Sequence, residues 1–394
     1  MSAIPDLPGN TLQSSEQETL KTSVAKMCKL KPNRFPGSHP VSFRRRDFTK
    51  LEQHDFWVCE KSDGVRALLL ITFDSGSNTQ AVFLIDRRNT YRKIEGFCFP
   101  HHADPRRSLG NSLIDGELVM AVDPETHQQT RRFLAFDCLV IDDQNVMTQA
   151  LDKRYGRLKE WFYRPFSRMA KDPLQAFDIH VKSMVLSYKV SKVFTMDIPN
   201  LMHRSDGLVY SRVTAPYKPG TDQNIIKWRP PSENSVSFKL VLQLPLSPAW
   251  DDPGTPDPCA KPLFLLFVWL GGEGDAARYE HFNDMYVSDD EWEQMKLSGE
   301  KVDGRIVKVR WDPSLRHWRM MRFRDDKAQG NHKSVVNDIS QSIAEGIEKD
   351  DILARSNAIR NAWKSRQRLP IQPASPVRQQ LVPPNTGATP LPSF

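Results

Sequence analysis

Between Phe56 and Phe238 the apolar residues fall into short blocks: FWVCE, VRALLLITF, AVFLID, SLIDGELVMAV, RFLAFDCLVI, DGLVYSRV and NIIKW. Each is rich in Val, Ile, Leu and aromatics and is bounded by Gly, Asp, Asn or Pro, a pattern that predicts strands. One stretch has another period. Leu151, Tyr155, Leu158 and Phe162 recur every three or four residues, as on one helix face. Strands this numerous, without a helix between each pair, predict an α+β domain of mixed antiparallel sheets and not a doubly wound fold.

A second strand-rich block runs from Ser237 to about His332: SFKLVLQL, PLFLLFVWL, a strand around Arg278–Phe282, RIVKVRW and HWRMMRF, interrupted by a Pro-rich loop from Pro245 to Pro262. About five strands in so short a span suit a small barrel of the oligonucleotide-binding (OB) type. Beyond Ser334, Val336, Ile339, Ile343 and Ile347 form one helical stripe. The expected organisation is a flexible arm (1–20), a larger domain (21–236), the barrel (237–333), a helical segment packing on the larger domain (334–364) and a Pro-rich disordered tail (365–394).

At 394 residues the chain is long enough for two or three cores. An apolar fraction of 39% and a charged fraction of 26% exclude a disordered or fibrous chain. The longest apolar run, Pro262 to Leu270, is about half of what a spanning helix needs, and no secretory signal is visible at the N-terminus. Cys28, Cys59, Cys98, Cys138 and Cys259 are odd in number and form no CxxC pair, so a reducing compartment fits better than a disulfide scaffold.

The net charge of +7 is mild, and its distribution matters more. Residues 301–333 hold ten Lys or Arg against four Asp. Lys29, Lys31, Arg34, Arg44, Arg45, Arg46 and Lys50 form another basic stretch, read equally as solvated surface or as a polyanion contact.

Candidate chemistry begins at Glu60-Lys61-Ser62-Asp63-Gly64-Val65-Arg66, where one strand runs in and another runs out. A lysine at a strand end can act as a nucleophile once its amine is neutral, which requires a pKa well below the ordinary lysine value of about 10.4. By itself the run is a weak signal and describes a charged hairpin turn more simply than a nucleophile. Asp86-Arg87, Asp115-Gly116-Glu117, Phe136-Asp137, Asp206-Gly207 and Lys227-Trp228-Arg229 also place charge at one end of an apolar strand, as expected where strands converge on one cleft.

This ordered series, KxDGxR, DR, DGEL, FD, DGL and KW[KR]P, resembles the covalent nucleotidyltransferase superfamily of mRNA capping guanylyltransferases and polynucleotide ligases. Arg322-Phe323-Arg324-Asp325-Asp326-Lys327 with Asn331 is similar to the RxRxDKxxPN element of the capping branch, carried on its C-terminal barrel. The resemblance spans about Phe56 to Ile352 and is nearest to the stand-alone fungal alpha subunits. Two departures stand out: Arg229 replaces a second lysine, turning a point charge into a planar fork, and Gly330 replaces a proline.

The resemblance implies a ligase-type, ATP-grasp-like nucleotidyltransferase domain plus an OB barrel. It implies that Lys61 takes GMP from GTP as a phosphoramidate and passes it to the 5′-diphosphate end of nascent RNA. It implies nucleotide contacts from Glu60, Asp63, Arg66, Arg87, Glu117, Lys227 and Arg229, a stacking role for Phe136 on guanine, and Lys182 as a candidate for guanine O6, with a solvated strand lysine as the plain alternative. Asp206, with Glu117, is the implied ligand of Mg2+ or Mn2+, and Arg324, Asp326 and Lys327 reach the β- and γ-phosphates when the barrel closes. An HCxxxxxR phosphatase motif does not occur, so a separate RNA 5′-triphosphatase subunit is expected. The phosphorylated tail of RNA polymerase II and a nuclear location are further implications, and no membrane is expected. The competing readings are an ATP-dependent ligase and a non-catalytic RNA-binding OB protein.

Overall fold

The computed structural model describes residues 4–31, 34–74, 76, 79–246, 257, 260–325 and 327–368. Most of the Pro-rich loop, together with Cys259, Asp326 and the tail from 369 onward, lies outside the described residues.

Two sheets and one barrel carry the chain. The first sheet runs in the order Asn10–Thr11, Tyr91–Ile94, Thr79–Ile85, Val65–Asp74, Ser112–Val122, Gln129–Ile141 and Asp178–Val181, with Gln144–Asn145 paired to Gln129–Ile141. Its neighbours are antiparallel except Asp178–Val181, which lies parallel to Gln129–Ile141. The second sheet runs Val185–Leu186, Phe56–Ser62, Ser205–Arg212, Gly220–Trp228, Ser38–Ser42, and its last pair is parallel. The architecture is the expected α+β arrangement of mixed, mainly antiparallel sheets.

The run VRALLLITF is apolar at nearly every position because both faces of Val65–Asp74 are covered. Ala67, Leu69 and Ile71 join a core with Phe99, Phe133 and Phe162, whereas Leu68 and Leu70 face Val24, Cys28 and Tyr91. The second layer comes from the helix Ser14–Cys28, and the strand Asn10–Thr11 leads into it along the sheet edge. The described part of the expected flexible arm is therefore ordered. The helix that starts within it at Ser14 buries Val24, Ala25 and Cys28 beyond the arm's expected end, which offsets the entropy of fixing the segment. The predicted helix near Leu151 forms as Leu151–Arg157 and continues through a π-helical turn, Leu158–Tyr163, with Leu158 and Phe162 in the core.

The strands Ser235–Gln243, Leu263–Gly271, Arg278–Tyr286, His317–Phe323 and Ile306–Asp312 close into a five-stranded barrel, consistent with an OB fold. The apolar stripe that follows does not form one helix. Lys333–Glu345 ends at Gly346, whose φ of 56° favours glycine, so Val336, Ile339 and Ile343 pack on the barrel whereas Ile347 enters the core of the second sheet. The helix Lys349–Arg368 then buries Ile352 and Ile359 against that sheet and runs four residues past the expected end at 364. Thus the apolar side chains of the first half pack on the barrel, and those of the second half pack on the larger domain as expected. Arg44 pairs with Asp338 at 2.8 Å, and Trp228 Nε1 donates to the Ile347 carbonyl at 2.9 Å, which ties the larger domain to the helices beyond the barrel.

Candidate active site

The run from Lys61 to Arg66 passes from the second sheet to the first: Phe56–Ser62 pairs with Ser205–Arg212, and Val65–Asp74 pairs with Ser112–Val122. It therefore links two sheets and is not a hairpin turn. Gly64 is required by contact, since a Cβ there would stand 2.3 Å from the Leu118 carbonyl oxygen. Its N–H donates to Glu117 Oε1 at 3.2 Å, which fastens the junction to the next strand.

Lys61 lies where two cavities meet. The outer one, of about 410 Å³, is lined by Lys61, Asp63, Arg66, Arg87, Glu117 and Arg229 among others. The inner one shares Lys61, Arg66, Arg87 and Glu117 and adds Phe136, Lys182, Met184 and Val209. Lys61 Nζ donates to Asp206 Oδ1 at 2.7 Å, and the other oxygen of that carboxylate pairs with Arg229. Gly207 beside Asp206 also answers to space, because a Cβ there would stand 2.0 Å from the Trp228 carbonyl oxygen.

Lys227 stands close to Arg229, Lys61 and Arg87, and burial together with those cations lowers its pKa to about 8. Burial, then the Arg66 charge, also depresses Arg87. Cations crowded together in this way are destabilising by themselves, and a polyphosphate relieves them.

Beneath the cleft lies a network of buried charge. Arg66 donates from Nε to Asp115 Oδ1 at 2.7 Å and from Nη2 to Asp115 Oδ2, where the Tyr217 hydroxyl also donates at 2.5 Å. Burial opposes the Arg66 cation, but Asp115 outweighs it and holds the guanidinium above its ordinary pKa. The Arg66 guanidinium also lies 5.0 Å from the centre of the Phe136 ring. Behind that ring Asp137 accepts from Arg154 Nε and Nη2, both at 2.8 Å, which fixes the strand that presents Phe136.

Lys182 is buried and uses all three N–H bonds, on the Glu60 carbonyl at 2.8 Å, Ser62 Oγ at 2.9 Å and Glu60 Oε1 at 3.0 Å. A base entering the inner cavity must replace one of these contacts to be read by Lys182. Glu60 lines neither cavity. Burial opposes its ionisation, yet the Lys182 charge and the His203 hydrogen bond hold its pKa at about 2. Glu60 thus supports Lys182, and its expected direct nucleotide contact has no cavity surface to act through.

The structure brings together Lys61, Asp63, Arg66, Arg87, Glu117, Phe136, Lys182, Asp206, Lys227 and Arg229. Arg324 and Lys327 lie just past the barrel strand His317–Phe323 and line neither cavity. Tyr217, Arg154 and His203 join the site without having been singled out from the sequence, whereas Asp115 and Asp137 were read there only as strand-end charges and prove to be the buried partners of Arg66 and Arg154. For Asp115 the signal was its place inside the apolar strand SLIDGELVMAV, where a fully buried acid must be paired. Asp206 and Glu117 offer hard oxygen donors beside the candidate nucleophile, which fits a divalent cation completed by substrate phosphates.

A lysine amine set between a basic cleft and a pocket lined by an aromatic ring is the arrangement a covalent nucleotidyltransferase needs. The family described as "mRNA capping enzyme, catalytic domain" matches residues 4–231, and "mRNA capping enzyme, C-terminal domain" matches 233–353. A Neurospora crassa mRNA-capping enzyme subunit alpha is 37% identical, over 88% of this chain and 90% of that protein. The Saccharomyces cerevisiae subunit alpha is 34% identical over 92% and 88%. A zebrafish mRNA-capping enzyme is 30% identical over 81% of this chain but 49% of its own length. Among solved structures, a mycobacterial DNA ligase D aligns at 14% identity and a TM-score of 0.36, covering 74% of this chain and 95% of that one, too loosely to bear on the assignment. The chain belongs to the mRNA capping enzyme family, and it is an mRNA guanylyltransferase.

Proposed function

We propose that Lys61 is the nucleophile and that the reaction runs in two half-steps at one phosphorus atom. The Lys61 nitrogen attacks the α-phosphorus of GTP, the N–P bond forms, and the bond to pyrophosphate breaks. Asp206 Oδ1, at 2.7 Å, is the nearest acceptor for the proton that the amine sheds. The β-phosphate oxygen of a diphosphate-ended RNA then attacks the same phosphorus, and Lys61 leaves with its proton restored. Lys227 and Arg229 bear on the α-phosphate, with Arg87 beside them, and compensate the negative charge that develops in each step. Phe136 and Lys182 receive guanine in the inner cavity. Asp206 and Glu117 would hold Mg2+ or Mn2+, and such an ion adds charge neutralisation at the phosphates. Arg324 and Lys327 are assigned to the β- and γ-phosphates after closure of the barrel.

The observation that carries this reading is the position of Lys61, shared by the cationic cavity and the aromatic one, with a carboxylate on its amine. The relatives' name, subunit alpha, supports a multisubunit enzyme acting on mRNA. We assign the missing partner as an RNA 5′-triphosphatase, the recruiting partner as the phosphorylated tail of RNA polymerase II, and the location as the nucleus, where nascent transcripts are made. Among the described residues no helix is long and apolar enough to cross a membrane. Incubation with α-labelled GTP or ATP and a divalent ion tests the reading. Acid-labile, base-stable label is expected from GTP alone, and label from ATP overturns the guanylyl assignment.

A further inference from the structure

The barrel carries a cationic ladder of its own. In Ile306–Asp312 the side chains of Val307 and Val309 are fully buried inside the barrel, so Lys308 and Arg310 point outward. Across the antiparallel pair Lys308 stands opposite Arg322, and Arg310 stands opposite Arg319. The rungs lie two residues apart along Ile306–Asp312, about 7 Å at roughly 3.3 Å per residue, and three apart on His317–Phe323, where the register shifts between Lys308 and Val309. Arg319 is engaged, donating to Glu291 at 2.8 Å and lying over Tyr286. Arg305 in the same basic segment is likewise held by Asp325 and Glu300. Among the described residues Lys308, Arg310 and Arg322 have no ion-pair partner.

This ladder begins at the cleft. Lys308 is within electrostatic reach of Asp63 and Arg229 on the larger domain and of Arg322 and Arg324 on the barrel. Arg229 is already held by Asp206, so the uncompensated charge here lies on Lys308 and Arg322, a local excess that a polyanion can fill. The acceptor in the second half-step must approach phosphorus in line with the bond to Lys61, from the side that pyrophosphate vacated. A strand of RNA also needs cations beyond the two cavities for the phosphates behind its reacting end.

We propose that the outer face of Ile306–Asp312 and His317–Phe323 is a track for acceptor RNA, with Lys308 and Arg322 holding its 5′-terminal phosphates and Arg310 the next phosphodiester. The inference rests on the guanylyltransferase reading for the identity of the acceptor, but its RNA-binding arm is measured separately. Phosphate contacts of this kind give affinity that falls with salt, by a slope proportional to their number.

The test uses the full chain, a short single-stranded RNA with a 5′-diphosphate, and the variant Lys308→Ala/Arg310→Ala/Arg322→Ala. Lys301→Ala, which removes an exposed cation outside the ladder, is the control. The triple variant is expected to form enzyme–GMP within about twofold of wild type, to bind the RNA at least about tenfold more weakly at low salt, and to show a log–log salt slope shallower by about 2. Transfer of GMP to a nucleoside diphosphate, which has no downstream phosphates, should suffer less than transfer to RNA. Placing arginine at 308 while keeping the two alanines (Lys308→Arg/Arg310→Ala/Arg322→Ala) should recover part of the slope. An unchanged RNA slope overturns the proposal. So does a loss of enzyme–GMP as large as the loss of RNA binding, because the cations then serve the nucleotide. If wild type forms no GMP adduct at all, the guanylyl reading fails instead, and the salt slope still decides the track.

Discussion

Lys61 Nζ and Asp206 Oδ1 lie 2.7 Å apart, and the same carboxylate pairs with Arg229, so one acid holds two of the site's cations. Removing it frees the amine from its anchor and leaves Lys61, Arg229 and Lys227 to repel one another. Asp206→Ala is therefore expected to reduce GMP attachment by about a hundredfold or more, the scale seen when one preorganised charged contact is lost. Single-turnover labelling with GTP checks this. Labelling at the wild-type rate would detach Asp206 from the chemistry.

The lowered pKa of Lys227 sets an alkaline limit. Held at about 8 by burial and then by its cationic neighbours, Lys227 is charged below that pH and loses its proton above it. Affinity of the free enzyme for GTP should fall as pH rises through about 8. In Lys227→Arg the charge persists, and the alkaline limb should move upward. Stability carries the opposite sign. Between about 8 and the ordinary lysine value near 10.4, the unfolded chain binds a proton that the folded chain does not, so this group's contribution favours folding more as pH rises. Equilibrium GTP binding from pH 7 to 10 measures the first effect, and an identical profile for wild type and Lys227→Arg contradicts it.

Asp115 supports the cleft without lining either cavity. Asp115→Ala strands a buried guanidinium and the Tyr217 hydroxyl, and should cost about 3–5 kcal/mol of stability. Tyr217→Phe leaves the Arg66–Asp115 pair intact and removes a hydroxyl that also accepts from the Ser38 N–H at 3.0 Å, so a cost of about 1–3 kcal/mol is expected. Denaturant unfolding reads both. Equal costs would mean that the carboxylate is not the centre of the network.

How far the sequence reveals this site depends on what each residue packs against. The strand blocks, the barrel and the ordered motifs are visible because period-2 alternation and strand-end charge are local signals. Lys61, Glu117, Phe136 and Arg229 meet in one place because their strands are neighbours or share the cleft, as the motif order suggested. Asp115–Tyr217 and Asp137–Arg154 were hidden because each partner is set by contacts between residues 102 and 17 positions apart. The break at Gly346 was hidden for another reason. Ile347 continues the apolar spacing, yet only tertiary packing decides that it leaves the barrel for the second sheet.

The N-terminal segment offers a stability test of its own. Deleting residues 1–28 removes the helix that covers Leu68, Leu70 and Tyr91 on the first sheet. Burying a single Val or Leu is worth about 1.5–3 kcal/mol, so the loss should exceed about 3 kcal/mol and lower the melting temperature clearly. An unchanged melting temperature would show that the segment is not part of the folded domain.

Intact-mass and peptide mass spectrometry after exposure to GTP and Mg2+ tests the central claim most directly. The account predicts one added guanylate on the peptide containing Lys61, sensitive to acid, and none on the Lys61→Ala protein. A guanylate mapped to any other residue, or one that persists in Lys61→Ala, contradicts it.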